Sequence, residues 1–164
     1  MNYLILIDTW KDLNSSIEDE KKKNICNLLQ LHGSKFKTYY FYNLTDIDPT
    51  IYSYINKNNG VFTDNPHDIY ENLGRNDWFY FAGFHTNRCI FYNHIGIDAL
   101  LSVADDHFKK RFNILGDCTA GICSLTHKAI EPMDCLYDPE TENYRKEIIK
   151  KHTIGSDTIF DLCG

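Results

Sequence analysis

The chain reads as a doubly wound, three-layer α/β fold with a mostly parallel sheet, and three observations predict it. The apolar runs at residues 3–7 (YLILI) and 78–84 (WFYFAGF) are continuous rather than alternating, as strands buried on both faces must be. Strand-like and helix-like segments alternate from end to end, the signature of parallel strands joined by crossover helices. The length of 164 residues suits a single domain, residues 1–164.

The elements follow in order. The first strand, 3–7, ends at Asp8. Ser15-Ser16-Ile17-Glu18 is a capping-box pattern that opens a helix. Ile17, Ile25, Leu28 and Leu29 then recur at helical spacing, and Gly33 is the stop signal. Residues 36–42 (FKTYYFY) are rich in strand formers, and 51–55 (IYSYI) is a shorter strand candidate. Pro66 starts a short helix through Leu73, closed by Gly74. After the strand 78–84, Thr86 caps a long helix to about Val103, with Ile90, Phe91, Ile95, Leu100 and Leu101 as its inward stripe. Residues 112–115 (FNIL) form a strand, 139–151 a charged surface helix and 153–154 a last short strand.

Composition narrows the function. The chain is 43% hydrophobic, with 11 Tyr and 10 Phe, enough for a packed core. Its net charge is -6, and its runs of basic residues are short, three residues each at Lys21-Lys22-Lys23 and Lys109-Lys110-Arg111, so nucleic acid is disfavoured as a partner. No run approaches the roughly 20 apolar residues of a membrane helix. The N-terminus lacks the basic start and cleavage site of a signal peptide. A cytoplasmic protein with six reduced thiols is the expectation.

The most informative segment is Gly83-Phe84-His85-Thr86-Asn87-Arg88-Cys89, which joins a buried strand to a helix. A thiol in the first turn of a helix meets unpaired N–H groups and the positive dipole end, and both favour thiolate. The competing reading is a small apolar residue in the packing face. Asp8, directly after a buried strand, is either a cap or a site residue at the sheet's carboxyl edge. There it is the candidate base for Cys89, provided burial raises its pKa. Lys57, following the strand candidate 51–55, is a surface charge or the cation of the same rim. Trp10 is core or the wall of a small pocket. Cys118 and Cys123 lack zinc spacing, no His-x-x-x-His occurs, and neither GxxxxGK[ST] nor GxGxxG is present. No metal and no cofactor are expected.

Three segments together resemble the isochorismatase-like cysteine hydrolases. Leu6-Ile7-Asp8-Thr9-Trp10-Lys11-Asp12 is similar to that family's first strand, which ends in Asp-x-Gln-x-Asp. Ala82-Gly83-Phe84-His85-Thr86-Asn87-Arg88-Cys89-Ile90 resembles its G-x-x-T-x-x-C-[VI] segment. Phe112-Asn113-Ile114-Leu115-Gly116-Asp117-Cys118-Thr119-Ala120-Gly121 resembles its strand ending in an acidic residue. The resemblance implies a six-stranded parallel sheet, a homodimer or larger assembly, and an Asp8-Lys57-Cys89 triad. It also implies a cis Phe84-His85 peptide that turns the His85 N–H toward that of Cys89 as an oxyanion hole. Trp10 and Phe84 are the expected substrate-binding walls. Trp10 stands where the family has glutamine. The Asp-x-His metal motif of nicotinamidases is missing from Phe41-Tyr42-Asn43-Leu44-Thr45-Asp46, which disfavours nicotinamide.

The function expected is metal-independent hydrolysis of an amide or carbamoyl-type C–N bond of a small molecule, through an acyl enzyme on Cys89. A catalytically degenerate small-molecule-binding protein on the same fold is the alternative. A redox- or ligand-sensing thiol ranks behind both.

Overall fold

A computed structural model describes residues 1–13, 15–43 and 46–163, the side chains of 161–163 excepted. The chain runs β1 (Asn2–Ile7), α1 (Ser16–His32), β2 (Phe36–Phe41), α2 (Pro49–Lys57), β3 (Val61–Phe62), α3 (His67–Tyr70), β4 (Trp78–Phe84), α4 (Cys89–Tyr92) and α5 (Ile97–Val103). It continues through β5 (Phe112–Ile122), β6 (Ala129–Ile130), α6 (Asn143–His152), β7 (Thr153–Ile154) and α7 (Ser156–Cys163), with short 3-10 turns between.

The sheet has seven strands. Strands β3-β2-β1-β4-β5 run parallel in that order, and β7 joins parallel to β5. The seventh strand, β6, is antiparallel and pairs with the far end of β5. That addition corrects the six-stranded expectation. It arises because β5 runs on past residue 115 to Ile122, 11 residues in all, and its overhang recruits a partner of its own.

Two cores lie on opposite faces. Ile5, Ile7, Phe79, Phe81, Phe112 and Ile114 pack one face against residues of α3, α4, α5 and α6. Leu4, Leu6, Tyr80, Ala82 and Leu115 pack the other against α1, α2 and α7. Alternate residues of the same strand serve both cores, so the central strands β1 and β4 are apolar on both sides through residues 4–7 and 79–84. Helix α1 starts as its sequence dictates: Ser15 Oγ accepts from the Glu18 N–H, and the Glu18 carboxylate returns to Ser15. Two lysines of the run 21–23 are buried and structural. Lys21 Nζ lies 2.7 Å from Glu131 and 3.0 Å from the Gly116 carbonyl, and Lys22 pairs with Asp48.

Two elements differ from expectation. Residues 51–55 are helical, inside α2. Asp48 caps Thr50 and Ile51, Pro49 opens the helix, and Ile51 and Ile55 point inward at i,i+4. The third strand is Val61–Phe62 instead. The long helix expected from Thr86 is broken into α4 and α5. The Asn93 side chain accepts from the Ile95 N–H and Gly96 caps α5, ending the first helix after four residues.

The topology sets a switch point. From β1 the chain moves outward through β2 to β3, then crosses back to β4 on the other side of β1. The crevice outside the carboxyl ends of β1 and β4 is where ligands bind in such sheets. At this point β4 lies close against β1. Gly83 pairs with Ile7 at φ +110, and a Cβ there would come within 1.9 Å of the Ile7 carbonyl oxygen.

Candidate active site

The first residues after β1 and β4 meet over this crevice. Asp8 follows Ile7 directly. Its backbone turns through φ +49, its N–H donates to the Phe41 carbonyl and its carbonyl accepts from Trp10. Aspartate tolerates that left-handed geometry better than most side chains. The side chain is fully buried, and Oδ1 accepts from the Asn43 N–H at 3.2 Å. Oδ2 has no hydrogen bond of normal geometry, yet the Cys89 thiol stands close enough to bias its charge. Burial raises the Asp8 pKa; hydrogen bonds from Cys89 and Asn43 and the attraction of His85 counter it only in part.

Cys89 opens α4. Its thiol is pushed up to about 12, first by burial and then by the hydrogen bond and charge of Asp8. The Tyr92 hydroxyl and the His85 N–H pull it back only partly. This corrects the expectation of a thiolate-favouring helix start. A single-turn helix offers little dipole, and a buried carboxylate beside the sulfur outweighs it. The resting site is a neutral thiol facing a carboxyl group.

The turn between them is held by buried polar groups. Thr86 Oγ1 bonds Thr119 Oγ1 at 2.9 Å, and the Thr86 N–H donates to Ala120. Asn87 grips β5 through both ends of its amide, donating to the Ile122 carbonyl and accepting from the Ile122 N–H, each at 3.0 Å. The Phe84-His85 peptide is cis, and the His85 N–H is directed at the Cys89 sulfur. Arg88 and Ile90 N–H groups close on the His85 carbonyl on either side of Cys89.

The other expected residues divide. Trp10 lies at the rim, half-buried; its indole N–H donates to the Asn43 carbonyl at 2.6 Å and its ring meets His85 edge-on. Phe84 is not a pocket wall. Strand alternation turns it with Tyr80 and Ala82 into the core, where it is fully buried. Lys57 does not reach the site. It ends α2, exposed, with its ammonium over the Tyr54 ring. Helix α2 begins beside Asp8, where the Asp48 N–H donates to Thr9, and ends where Asn58 donates to Leu29 near the end of α1. Its last residue therefore lies at the amino edge of the sheet. The carboxyl end of β3 is occupied by Thr63, buried and bonded to Asp68.

Two residues at the site were missed from sequence. The His85 side chain bonds Glu18 of α1, Nε2 to Oε2 at 2.8 Å, and both are largely buried. Burial opposes the Glu18 charge, but hydrogen bonds from His85 and Ser15 outweigh it and hold this carboxyl low. The capping-box signal located Glu18 and explained it fully, so nothing suggested its second bond. Tyr92, mostly exposed, is the other: its hydroxyl bonds the Cys89 thiol. Leu44 and Thr45, within the segment that lacks the Asp-x-His motif, lie outside the described residues.

Among the described residues no group of three or more His, Cys, Asp or Glu could hold a metal ion, and no helix is long and apolar enough to cross a membrane. The five cysteines with described side chains are free thiols. No family model matches the chain, and searches of curated proteins and of solved structures found no match either.

Proposed function

We propose that the chain is a cysteine-dependent hydrolase of a small molecule's amide or carbamoyl-type C–N bond. The observation that carries this reading is the meeting of the Asp8 carboxyl and the Cys89 thiol over the switch point. A raised carboxyl pKa brings the base closer to the thiol it must deprotonate. In the reaction, Asp8 takes the thiol proton and the sulfur bonds to the substrate carbonyl carbon. The N–H groups of His85 and Cys89 stabilise the oxyanion. The C–N bond breaks as Asp8 returns the proton to the leaving nitrogen. Water, deprotonated by Asp8, then opens the thioester, releasing the acid and restoring the Cys89 thiol. Trp10 and Tyr92 are the side chains at the rim that a substrate would meet.

The test is ammonia release from a panel of small primary amides and N-carbamoyl compounds, with mass spectrometry to trap the acyl enzyme. Cys89→Ala should abolish both turnover and adduct while leaving the fold intact. Turnover that survives in this variant would sink the reading.

A second reading is a binding protein on the same scaffold, favoured by one observation: the expected lysine is absent from the site. Iodoacetamide labelling separates the two in Cys123→Ser protein, because Thr126 holds the Cys123 thiol below its usual range and would make it a fast background. A base makes Cys89 labelling fall when Asp8 becomes Asn. A mere negative neighbour makes it rise.

A further inference from the structure

We infer that Tyr92 is a further catalytic residue of this site, donating its O–H to the Cys89 sulfur as the thiolate forms, and that Arg145 is the positioning residue that holds it there. The inference rests on the reading of Cys89 as the nucleophile.

Tyr92 stands three residues after Cys89 in α4, so both side chains leave the same face of one turn. The Asn93 N–H closes that turn on the Cys89 carbonyl at 2.9 Å. Asp8 and the Tyr92 hydroxyl both bond the sulfur. When Asp8 takes the thiol proton, the sulfur is left as an anionic acceptor, and a phenol O–H is a fitting donor. The His85 N–H, also aimed at the sulfur, is the donor that the oxyanion takes over; Tyr92 is the one that remains. Desolvation of its hydroxyl and the neighbouring sulfur raise the Tyr92 pKa, so the phenol keeps its own proton throughout.

The Tyr92 side chain is 55% exposed, and burial does not fix so exposed a ring. Arg145 of α6 does. Its guanidinium carbon lies 5.4 Å from the ring centroids of both Phe91 and Tyr92. Every nitrogen of the fork is placed. Nη1 donates to the Asn87 carbonyl at 3.1 Å, Nε donates to the Tyr144 hydroxyl at 3.0 Å, and Nη2 lies 3.9 Å from Asp98 and 3.8 Å from Glu142. One side chain, only 14% exposed, thus grips the nucleophile segment on both sides of Cys89, by the carbonyl before it and the rings after it. The charged and titratable groups facing the Tyr92 hydroxyl are Cys89 from its own helix, Arg88 from the turn before it and Arg145 from α6. Arg88 brings charge, whereas Arg145 brings charge together with the stacking that fixes the ring.

The test is the rate of Cys89 alkylation by iodoacetamide at neutral pH, read by mass spectrometry in the Cys123→Ser chain. Tyr92→Phe keeps the ring and removes the donor; it should slow labelling by about 3- to 10-fold, since a costlier thiolate is scarcer but also more nucleophilic. Arg145→Met should slow it by a similar factor. The double variant should be within about 2-fold of Tyr92→Phe alone, because a residue that acts through the hydroxyl has nothing to position once the hydroxyl is gone. Arg88→Gln removes a charge and leaves the clamp, so its loss should be smaller than that of Arg145→Met. Circular dichroism checks folding; should Arg145→Met not fold, Arg145→Lys, which lacks the planar fork, takes its place in the cycle. Unchanged or faster labelling in Tyr92→Phe overturns the inference. So do losses that multiply in the double variant, which mark Arg145 as merely structural, and an Arg88→Gln loss as large as that of Arg145→Met, which assigns the effect to charge alone. Failure of the hydrolase reading shows separately: no compound of the amide panel is then turned over, while the two single losses and their coupling persist.

Discussion

At the carboxyl edge of the sheet, Asp8, Cys89, His85 and Glu18 converge from three elements and are withdrawn from water. At the amino edge, Lys57 ends a helix in solvent with only the Tyr54 ring beneath it. Both regions carry ionisable groups that a sequence reading assigns to one site. Direction separates them. A parallel sheet sends every strand toward one edge and every crossover helix back toward the other, so a helix C-terminus cannot join residues that follow strands. A single change in secondary structure, strand to helix at residues 51–55, moved Lys57 across the sheet.

The largest expected effect that would break this contrast is at Asp8. Asp8→Asn should slow Cys89 alkylation by roughly 100-fold if the carboxylate is the base; faster alkylation would assign Asp8 a purely electrostatic role. The same variant tests linkage. Burial raises the folded pKa of Asp8, so the folded state holds this proton more tightly than the unfolded chain does. That contribution is present below the ordinary aspartate value of 3.8 and is lost as pH rises through the folded value. Asp8→Asn should therefore raise Tm at neutral pH, by a few degrees for each ~1 kcal/mol, with the advantage shrinking in acid.

Next in size is the switch point itself. Gly83→Ala forces a Cβ against the Ile7 carbonyl at a positive φ, so urea unfolding should show a loss of about 3 kcal/mol or more. Retained stability would mean that β4 can move off β1, and the close approach would cease to explain the site's geometry. The smallest effect belongs to the amino edge. Lys57→Gln should change stability by less than about 0.5 kcal/mol and leave Cys89 labelling unchanged. A clear loss of labelling would return Lys57 to the site.

Legibility followed the range of the interactions involved. The buried strands β1 and β4, the capping box of α1 and the Gly83-to-Cys89 turn were readable because each depends on its own few residues. The α2 helix was not, since its aromatic and β-branched residues favour a strand and only the Asp48 cap with Pro49 tips the balance. The break between α4 and α5 was hidden in the same way, behind a stripe of apolar residues that continues across Asn93 and Gly96. At the site, Asp8 and Cys89 were nameable because strand ends mark the carboxyl edge. His85 was named only for its backbone.

What the sequence determined by itself is the α/β class, the buried strands and the two residues that follow β1 and β4, because burial on both faces leaves a pattern in the chain. The tertiary structure alone decided which charges share the site and how Cys89 is ionised. The Glu18–His85 bond joins residues 67 positions apart, and the thiol's shift to about 12 comes from burial and a carboxylate supplied by another strand. Long-range contact and desolvation are properties of the packed molecule, and no local pattern encodes them.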